Sequence, residues 1–374
     1  MKTTHNTTQI NPNHKSARLA GNRRFHSPFG LLLGGALLLA ALAVGSTSAF
    51  AQFAGPTPLT LINGWTNAPF ETSIATAEEV SGIVQFRGAI ATSGTNAEPF
   101  VLPPSLSPAK VVYIPIDLCD ANYGRLIIEP SGAVTVQAES GTFSNAQCFT
   151  SLDGASFAIN DTGYTALTLL NGWTDTVYGT ASPAVVNING IVHFEGAMST
   201  TGTNAESFVL PTGFRPAHDV YVPADLCGAT NGRLYIQTNG DVSVQAQTAF
   251  SDAQCFTSLD GVWFVAKDTG YKALTLINGW SNTVYKTSRA EAGNAYGIVY
   301  FQGAMSTTGT NATPFVLPPS LSPVTAVYVP VDLCGATNGR LYIQPNGTVI
   351  VQAQGGTFSN AQCFTSLDGV SFVQ

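Results

Sequence analysis

Residues 148–157 read CFTSLDGASF, and nearly the same ten residues return as CFTSLDGVWF at 255–264 and as CFTSLDGVSF at 363–372. Asn63-Gly64-Trp65 likewise returns at offsets of 108 and 107 residues, as Asn171-Gly172-Trp173 and Asn278-Gly279-Trp280. Such a period exceeds the roughly 20 to 50 residues of a solenoid unit and matches a self-sufficient domain. The chain is therefore predicted to contain three tandem domains, at 56–159, 164–266 and 271–374.

The first 51 residues precede the repeats and have the features of an export signal. Basic residues between Lys15 and Arg24 lead into an apolar run from Phe29 to Val44, and small residues follow up to Ala51. The run falls short of the roughly 20 residues that span a bilayer. We predict a signal peptide, residues 1–51, cleaved after Ala51, rather than an uncleaved membrane anchor. The mature protein is expected to be secreted or displayed on the cell surface, without a membrane span.

Composition argues against some classes of partner. All 22 acidic residues and ten of the 15 basic ones follow residue 51, so the predicted mature chain has a net charge of −12. Nucleic acid is not expected as a partner, because phosphate binding needs a basic face. Charged residues make up only 10% of the sequence, against about 25% in ordinary globular proteins. Thr, Ser, Asn and Gln must therefore supply most of the polar surface.

Each repeat contains one pair of cysteines, and in an exported chain this pattern predicts one disulfide per repeat. A metal site would need cysteines or histidines at closer spacing, so no metal and no other cofactor is predicted. Calcium stays an alternative because Asp and Asn side chains suit it, although no EF-hand pattern is present. The predicted pairs are Cys119 with Cys148, Cys227 with Cys255, and Cys334 with Cys363.

Short alternating segments bounded by Gly, Pro and Asn predict an all-β fold. About seven strands in about 100 residues are typical of an antiparallel β-sandwich or jelly-roll-like domain. Gly88, Gly196 and Gly303 interrupt one strand at a fixed place, which predicts a bulge or a close backbone approach. In the first repeat the predicted strands lie at 59–63, 82–90, 100–102, 111–116, 124–129, 134–138 and 151–157.

The linkers at 160–163 and 267–270 are too short to separate the repeats. Five residues span at most about 18 Å, whereas a domain of about 103 residues has a diameter of about 33 Å. The three domains are therefore expected to be close neighbours.

Several framework motifs resemble those of a known family. They are Phe-x-Gly-Ala at 86–89, Phe-x-Leu-Pro at 100–103, Gly-Arg-Leu at 124–126 and Ser-Leu-Asp-Gly-x-x-Phe at 151–157. Over nearly all of each copy the chain resembles the C-terminal head domains of bacteriophage tail fibres and related collagen-like proteins. The resemblance implies a β-sandwich head that assembles as a homotrimer and contacts receptors, often cell-surface glycans.

Three features depart from that family: the export signal, the lack of a fibrous shaft and the cysteine pair in each head. They favour a secreted cellular protein that reuses the head fold over a virion protein. Since the heads of the family associate in threes, we hypothesise that the three copies fold into one intramolecular pseudo-trimer.

Recurrent aromatic residues are the candidates for ligand binding. Each Asn-Gly-Trp motif is followed five residues later by a second aromatic residue. Aromatic faces among Asn and Thr donors are suited to stacking on sugar rings, whereas the alternative for each ring is a core or domain-interface position. The candidate residues are Trp65, Phe70, Trp173, Tyr178, Trp280 and Tyr285.

Two sets of loops invite opposite interpretations. The stretches 66–81, 174–189 and 281–296 diverge most among the copies, which is typical of changeable contact loops on a common scaffold; drift of an idle loop gives the same pattern. The Gly-Thr-Asn-Ala segments at 94–97, 202–205 and 309–312 are invariant. They indicate either a required turn geometry or a repeated contact surface.

No catalytic residue is predicted, because no histidine recurs among the copies to serve as the base of a nucleophile. Two aspartates recur, at 117, 225, 332 and at 153, 260, 368, so a glycosidase with paired carboxylates is the alternative to check. We expect instead that Asp153 caps its own turn, and that the recurrent arginines at 125, 233 and 340 pair with a recurrent aspartate near a domain surface.

The sequence thus favours a non-enzymatic secreted protein that binds cell-surface or matrix glycans through three heads. A structural or self-assembling cell-surface module is the second hypothesis, beside a receptor-binding protein like that of a phage tail fibre. An enzyme ranks third.

Overall fold

A computed structural model describes residues 55–175, 178–267, 270–282 and 285–374. The predicted signal peptide lies outside the described residues. The repeats belong to one compact unit, Gln52–Gln374. We refer to residues 56–159, 164–266 and 271–374 as repeats 1, 2 and 3.

Within the described residues each repeat contains ten or eleven short strands and one six-residue α-helix, besides short 3-10 helices. Repeat 1 contains strands Thr57–Pro58 (β1), Trp65–Asn67 (β2), Thr76–Val80 (β3), Ile83–Arg87 (β4), Ala89–Thr92 (β5), Val112–Asp117 (β6), Tyr123–Ile128 (β7), Val134–Ala138 (β8), Thr150–Ser151 (β9) and Ser156–Ala158 (β10), with helix Phe143–Cys148 (α1). Repeat 2 contains Thr165–Ala166 (β11), Trp173–Asp175 (β12), Ala184–Ile188 (β13), Ile191–Glu195 (β14), Ala197–Thr200 (β15), Glu206–Val209 (β16), Val220–Leu226 (β17), Thr230–Ile236 (β18), Asp241–Ala246 (β19), Thr257–Ser258 (β20) and Trp263–Val265 (β21), with helix Phe250–Cys255 (α2). Repeat 3 contains Lys272–Ala273 (β22), Trp280–Asn282 (β23), Glu291–Ala295 (β24), Ile298–Gln302 (β25), Ala304–Thr307 (β26), Val327–Asp332 (β27), Asn338–Ile343 (β28), Val349–Ala353 (β29), Thr365–Ser366 (β30) and Ser371–Val373 (β31), with helix Phe358–Cys363 (α3).

The strands of each repeat form two antiparallel layers, as the predicted sandwich requires. In repeat 2 one sheet has the order β11-β13-β14-β21 and the other β12-β15-β20-β17-β18-β19-β16. In repeats 1 and 3 the strands of the second layer fall into two smaller sheets, which the single bridges Leu118–Thr150 and Leu333–Thr365 connect. Alternate residues point inward, as in β8, where Val134, Val136 and Ala138 are buried. Each repeat thereby has a hydrophobic core of its own.

Gly88 divides the predicted long strand of repeat 1 into β4 and β5. Its φ is +93°, and a Cβ at this position would stand 2.4 Å from the carbonyl oxygen of Ile74. The predicted close backbone approach is therefore present. It lets the chain pass from one layer of the sandwich to the other, because β4 and β5 belong to different sheets.

Several segments of repeat 1 differ from the strand prediction. The segment at 100–102 forms only the single bridge Val101–Ala133, and the predicted closing strand at 151–157 is divided by a turn into β9 and β10, which belong to different sheets. The divergent stretch at 66–81 is only partly a loop, since it contains β3, whose register with β4 runs from Thr76–Arg87 to Val80–Ile83. The segment at 59–63 is not a strand, and the first layer begins with β1 instead. The sequence of Phe143–Cys148 has too few turns to show a helical period, and α1 was accordingly not predicted.

The cysteines form the three predicted pairs, each within one repeat. In repeat 1 the disulfide joins Cys119, just after β6, to Cys148, the last residue of α1. The disulfide thereby holds α1 against the segment that follows β6. Three disulfides indicate an oxidising, extracellular environment.

The repeats contact one another in a cycle. The equivalent strands β6, β17 and β27 contact each other pairwise. Backbone hydrogen bonds run from Val111 to Gly179, from Asp219 to Lys286 and from Ala326 to Glu71. Repeat 1 thus bonds to repeat 2, repeat 2 to repeat 3, and repeat 3 back to repeat 1.

An apolar cluster between the repeats contains residues of all three. Val80 of repeat 1, Ile191 and Trp263 of repeat 2, and Ile298 and Tyr300 of repeat 3 are buried in it together. Trp263 and Tyr300 meet edge to face with ring centroids 5.0 Å apart. Burial of these side chains gives the association of the repeats a hydrophobic contribution in addition to its polar contacts.

The closing Leu-Asp-Gly motif is one of the points where neighbours touch. A Cβ at Gly154 would stand 2.6 Å from Val329 Cγ1, and one at Gly369 would stand 2.5 Å from Val222 Cγ1. A larger residue would therefore collide with the neighbouring repeat. The turn itself also favours glycine, because φ is +80° at Gly154 and +77° at Gly369.

We expect Gly369→Ala to destabilise the protein by about 1 to 3 kcal/mol more than Gly163→Ala, because it overpacks an inter-repeat contact. Both glycines have a positive φ, but a Cβ at Gly163 would meet nothing within 4 Å. Urea unfolding of the two variants measures the difference. Equal losses would mean that conformational strain, rather than contact with repeat 2, accounts for the glycine.

Candidate binding clefts between the repeats

The tryptophans of the Asn-Gly-Trp motifs are buried in the cores. Trp65 Nε1 donates a hydrogen bond to the carbonyl oxygen of Asn96 at 2.9 Å, and its ring meets Phe143 edge to face. Trp173 and Trp280 make the equivalent hydrogen bonds to Asn204 and Asn311. Their faces are closed to a sugar ring, so Trp65, Trp173 and Trp280 are corrected from ligand candidates to core residues.

The invariant Gly-Thr-Asn-Ala segments have turn and anchoring roles. Asn96 presents its carbonyl oxygen to Trp65, and its side chain accepts the backbone N–H of Glu98. Gly94 accepts a hydrogen bond from Gln147 Nε2 at 2.6 Å. These bonds fasten the segment to the core and to α1, which is reason enough for it to be unchanged in all copies.

The second aromatic residue of each motif lies on the surface. Phe70, Tyr178 and Tyr285 are 59%, 61% and 59% exposed. All three have a left-handed backbone, with φ of 56°, 58° and 54°, which is a strained conformation for a bulky residue. Strain of this kind persists only where the surrounding structure imposes it, and it is concentrated at functional sites.

Each exposed ring leans on a buried phenylalanine of its own repeat. Phe70 meets Phe149 edge to face at 5.6 Å, and Tyr178 and Tyr285 meet Phe256 and Phe364 at 5.5 Å. The exposed ring therefore stands upright beside the boundary of the repeat, with one edge supported and the rest free.

The neighbouring repeat contributes the opposite wall. Tyr328 of repeat 3 packs edge to face on Phe149 of repeat 1 at 5.0 Å. The guanidinium of Arg340 lies 4.9 Å from the ring centre of Tyr328 and 6.0 Å from that of Phe149. Phe70, Cys119, Asp120, Phe149, Tyr328 and Arg340 line a cleft of about 120 Å³ at this boundary.

The same side chains meet at the other two boundaries. Tyr113 packs on Phe256 at 4.9 Å, with Arg125 above Tyr113. Tyr221 packs on Phe364 at 5.1 Å, with Arg233 above Tyr221. These tyrosines and phenylalanines were not singled out from the sequence. Two sequence signals could have identified them: they recur in all three copies, and Tyr113 alternates along its strand with the inward-facing Val112 and Ile114.

The recurrent arginines pair with recurrent aspartates, as predicted, but across the repeat boundaries and in buried positions. Arg125 Nη1 lies 2.8 Å from Asp225 Oδ2, and the same nitrogen contacts the carbonyl oxygen of Leu226. Pairs of the same form join repeat 2 to repeat 3 and repeat 3 to repeat 1. They are Arg233–Asp332 at 2.8 Å and Arg340–Asp117 at 3.0 Å.

One of the three ion pairs differs from the others. Tyr123 of repeat 1 donates its hydroxyl to Asp225 Oδ1, whereas repeats 2 and 3 have Asn231 and Asn338 in the equivalent position. Oδ1 of Asp117 and of Asp332 has no hydrogen-bond partner in the part of the chain that the structure describes. Burial raises the pKa of Asp117 and of Asp332 to about 7, but that of Asp225 only to about 6.

The closing aspartates stabilise backbone across the sandwich rather than within their own turn, which corrects the predicted cap. Asp153 Oδ1 accepts the N–H of Gly88 at 2.8 Å, and Asp260 Oδ1 accepts that of Gly196. Burial raises the pKa of both aspartates to about 7. Asp117 and Asp153 are thus committed to interior contacts, and in repeat 1 neither carboxylate is among the side chains that line the cleft at Phe70.

No family model, curated protein or solved structure matches this chain. Within the described residues no helix has the length and apolar character to cross a bilayer. The same residues contain no group of three or more His, Cys, Asp or Glu side chains that could hold a metal ion.

We expect Arg233→Ala to destabilise the protein by about 3 to 5 kcal/mol, because it leaves the buried Asp332 without its counter-ion. The control is Lys272→Ala. The side chain of Lys272 is exposed and forms no salt bridge within the described residues, so its loss should cost less than about 1 kcal/mol. Urea unfolding compares the two; an Arg233→Ala protein as stable as the control contradicts the assignment.

The buried aspartates also predict a dependence of stability on pH. The pKa values near 7 for Asp117, Asp153, Asp260 and Asp332 lie above their ordinary value of 3.8. The folded chain then binds more protons than the unfolded one, so the free energy of unfolding should fall as pH rises from about 4 to about 7. Asp153→Asn keeps the acceptor for Gly88 but cannot titrate, and its stability should vary less with pH. Greater stability of the parent protein at about pH 8 than at about pH 5 would refute this expectation.

Proposed function

We propose that this chain is an exported, non-enzymatic protein that binds cell-surface or matrix glycans at three clefts between its repeats. The resemblance to trimeric receptor-binding heads agrees with this proposal, as do the three disulfides. The repeats act together as an intramolecular pseudo-trimer, and each cleft needs side chains from two of them.

The observation that carries the proposal is the strained, exposed aromatic residue at each boundary. Phe70, Tyr178 and Tyr285 present large apolar faces to solvent in a conformation that costs free energy. A fold that needed only a loop at this position would be more stable with glycine, which adopts a positive φ without strain. A ring held upright beside a concave boundary can cover the apolar face of a pyranose.

Neighbouring polar groups give such a cleft its directionality. Arg340 and Asp120 line the cleft beside Phe70, and both can form hydrogen bonds with sugar hydroxyls. A few placed polar groups in a mostly apolar cleft are the usual composition of a small-molecule site. The low content of charged residues is compatible with a neutral ligand.

Three clefts on one chain favour multivalent recognition. Joined sites raise the overall affinity without new contacts when the ligand can engage them together. Repeated glycans on a cell surface or in a matrix meet that condition, so weak single sites would suffice for adhesion.

A glycan array probed with the disulfide-bonded protein tests the proposal. We expect the parent protein to bind a restricted set of glycans and the triple variant Phe70→Ala, Tyr178→Ala, Tyr285→Ala to lose at least about tenfold in affinity, in line with the cost of removing an aromatic anchor. Tyr296→Ala is the matched control, since Tyr296 is an exposed aromatic residue that does not line the cleft at Phe70.

Thermal melting should show that the triple variant stays folded, because the three rings contribute little buried area. Unchanged glycan binding by the triple variant would refute the assignment of the clefts. Silence across the array, together with concentration-dependent self-association, would favour a structural module of the cell surface.

A further inference from the structure

A second kind of cavity lies at the junction of repeats 1 and 2. Its volume is about 330 Å³. Residues 108–110, 112 and 158–161 of repeat 1 and its linker form one side, and residues 181–184 of repeat 2 form the other. Tyr164, Glu195, Asp260, Asp161 and Lys110 bring polar and charged groups into walls that also contain apolar residues such as Ile159, Pro183 and Ala184.

Two of these polar groups have no partner. Glu195 is only 5% exposed, and its carboxylate lines the cavity without a hydrogen bond or salt bridge to a described residue. The hydroxyl of Tyr164 is buried and also lacks a hydrogen-bond partner in the described part of the chain. Asp260, by contrast, accepts the N–H groups of Gly196 and Tyr113. Buried polar groups normally find partners, so this carboxylate and this hydroxyl, which line one cavity, are available to pair with a ligand.

In repeat 3, side chains of the protein itself fill the space that corresponds to this cavity. There Gln302 replaces Glu195, and its Nε2 donates to Glu291 Oε2 at 2.5 Å. The residue equivalent to Glu291 in repeat 2 is Ala184. The corresponding cavity between repeats 2 and 3, which Gln302 and Asp368 line, measures only about 10 Å³. The small side chain of Ala184 therefore leaves the space open and Glu195 unpaired.

In repeat 1 the position equivalent to Glu195 has a positive charge. Its equivalent of Glu195 is Arg87, and the positive charge of Arg87 lowers the pKa of the buried Asp153. In repeat 2 this position, beside Asp260, is occupied by the carboxylate of Glu195 instead of a positive charge. Burial, with the charges of Asp260 and Asp161, raises the pKa of Glu195 to about 7. A cation in the cavity would relieve this repulsion as Arg87 does in repeat 1.

We propose that the cavity between repeats 1 and 2 binds a small organic cation whose ammonium or guanidinium group pairs with Glu195 beside Asp260. The hydroxyl of Tyr164 accepts a further N–H of the ligand, and the apolar wall around Ala184 and Pro183 covers its carbon skeleton. Charge-assisted hydrogen bonds of this kind are the strong ones in a buried site.

Calorimetric titration of the protein with methylguanidinium and with n-butylammonium tests the proposal. We expect one site per chain and a loss of affinity of about 10- to 100-fold in Glu195→Gln, since hydrogen bonds to a charged group are worth about 1.5 to 3 kcal/mol. Glu98→Gln removes an exposed carboxylate elsewhere and should leave binding unchanged.

The groups that face Glu195 in the cavity are Asp260, Asp161, Tyr164 and Lys110. Because the pKa values of Glu195 and Asp260 are both about 7, affinity should rise between about pH 6 and about pH 8 as the two carboxylates ionise.

The double variant Ala184→Glu, Glu195→Gln copies the arrangement of repeat 3 and is expected to fold and to abolish binding. Equal affinity of the parent protein and Glu195→Gln would overturn the proposal, as would the absence of any titration signal from either cation. A response to calcium with none to the organic cations would also overturn it in favour of a metal site.

Discussion

The structure depends most on an arginine that reaches out of its own repeat. Arg125, Arg233 and Arg340 each enter the next repeat and meet an aspartate that is fully buried there. A charge in such a place is tolerated only with its partner, so no repeat can leave the assembly without exposing its neighbour's unpaired carboxylate. The aspartate itself is held by a central strand, and the cysteine two residues later ties that strand to the helix. The same guanidinium packs over a tyrosine of its own repeat and thereby fixes one wall of the adjacent cleft.

Much of the architecture was predictable because the chain contains its own alignment. The period, the cysteine pairs and the break at Gly88 recur three times, and each has a local physical cause. The partners of the recurrent charged residues were harder to assign, because a contact within a repeat and a contact between repeats leave the same threefold pattern. The pairing of Arg125 with an aspartate was foreseeable, but its passage to Asp225 in repeat 2 was not. Likewise, Trp65 and Phe70 both recur in every copy, so recurrence alone could not show which ring is buried. Trp65 is buried because its indole N–H donates a hydrogen bond to the carbonyl oxygen of Asn96 in the neighbouring turn.

Several deviations from threefold identity lie where the repeats meet. Gln85, His193 and Tyr300 occupy equivalent positions, and burial lowers the pKa of His193 to about 4, so that this imidazole is neutral in the interior. Tyr123 stands where its counterparts are asparagines and satisfies the second oxygen of Asp225. Such differences are impossible in a trimer of identical chains, where every boundary must have the same residues. Here each boundary can differ from the other two, and the cavity beside Glu195 is one result.

The cyclic contacts also fix how many copies the protein can have. In an open array the last unit always presents an unused surface, so a duplicated unit can join and the array can lengthen. In this chain Arg340 of the last repeat is already paired with Asp117 of the first. An additional copy inserted by duplication would find both complementary surfaces occupied, and it would have to displace a buried ion pair to enter. The closed cycle of buried ion pairs therefore opposes the addition of a fourth copy, which an open array would accept.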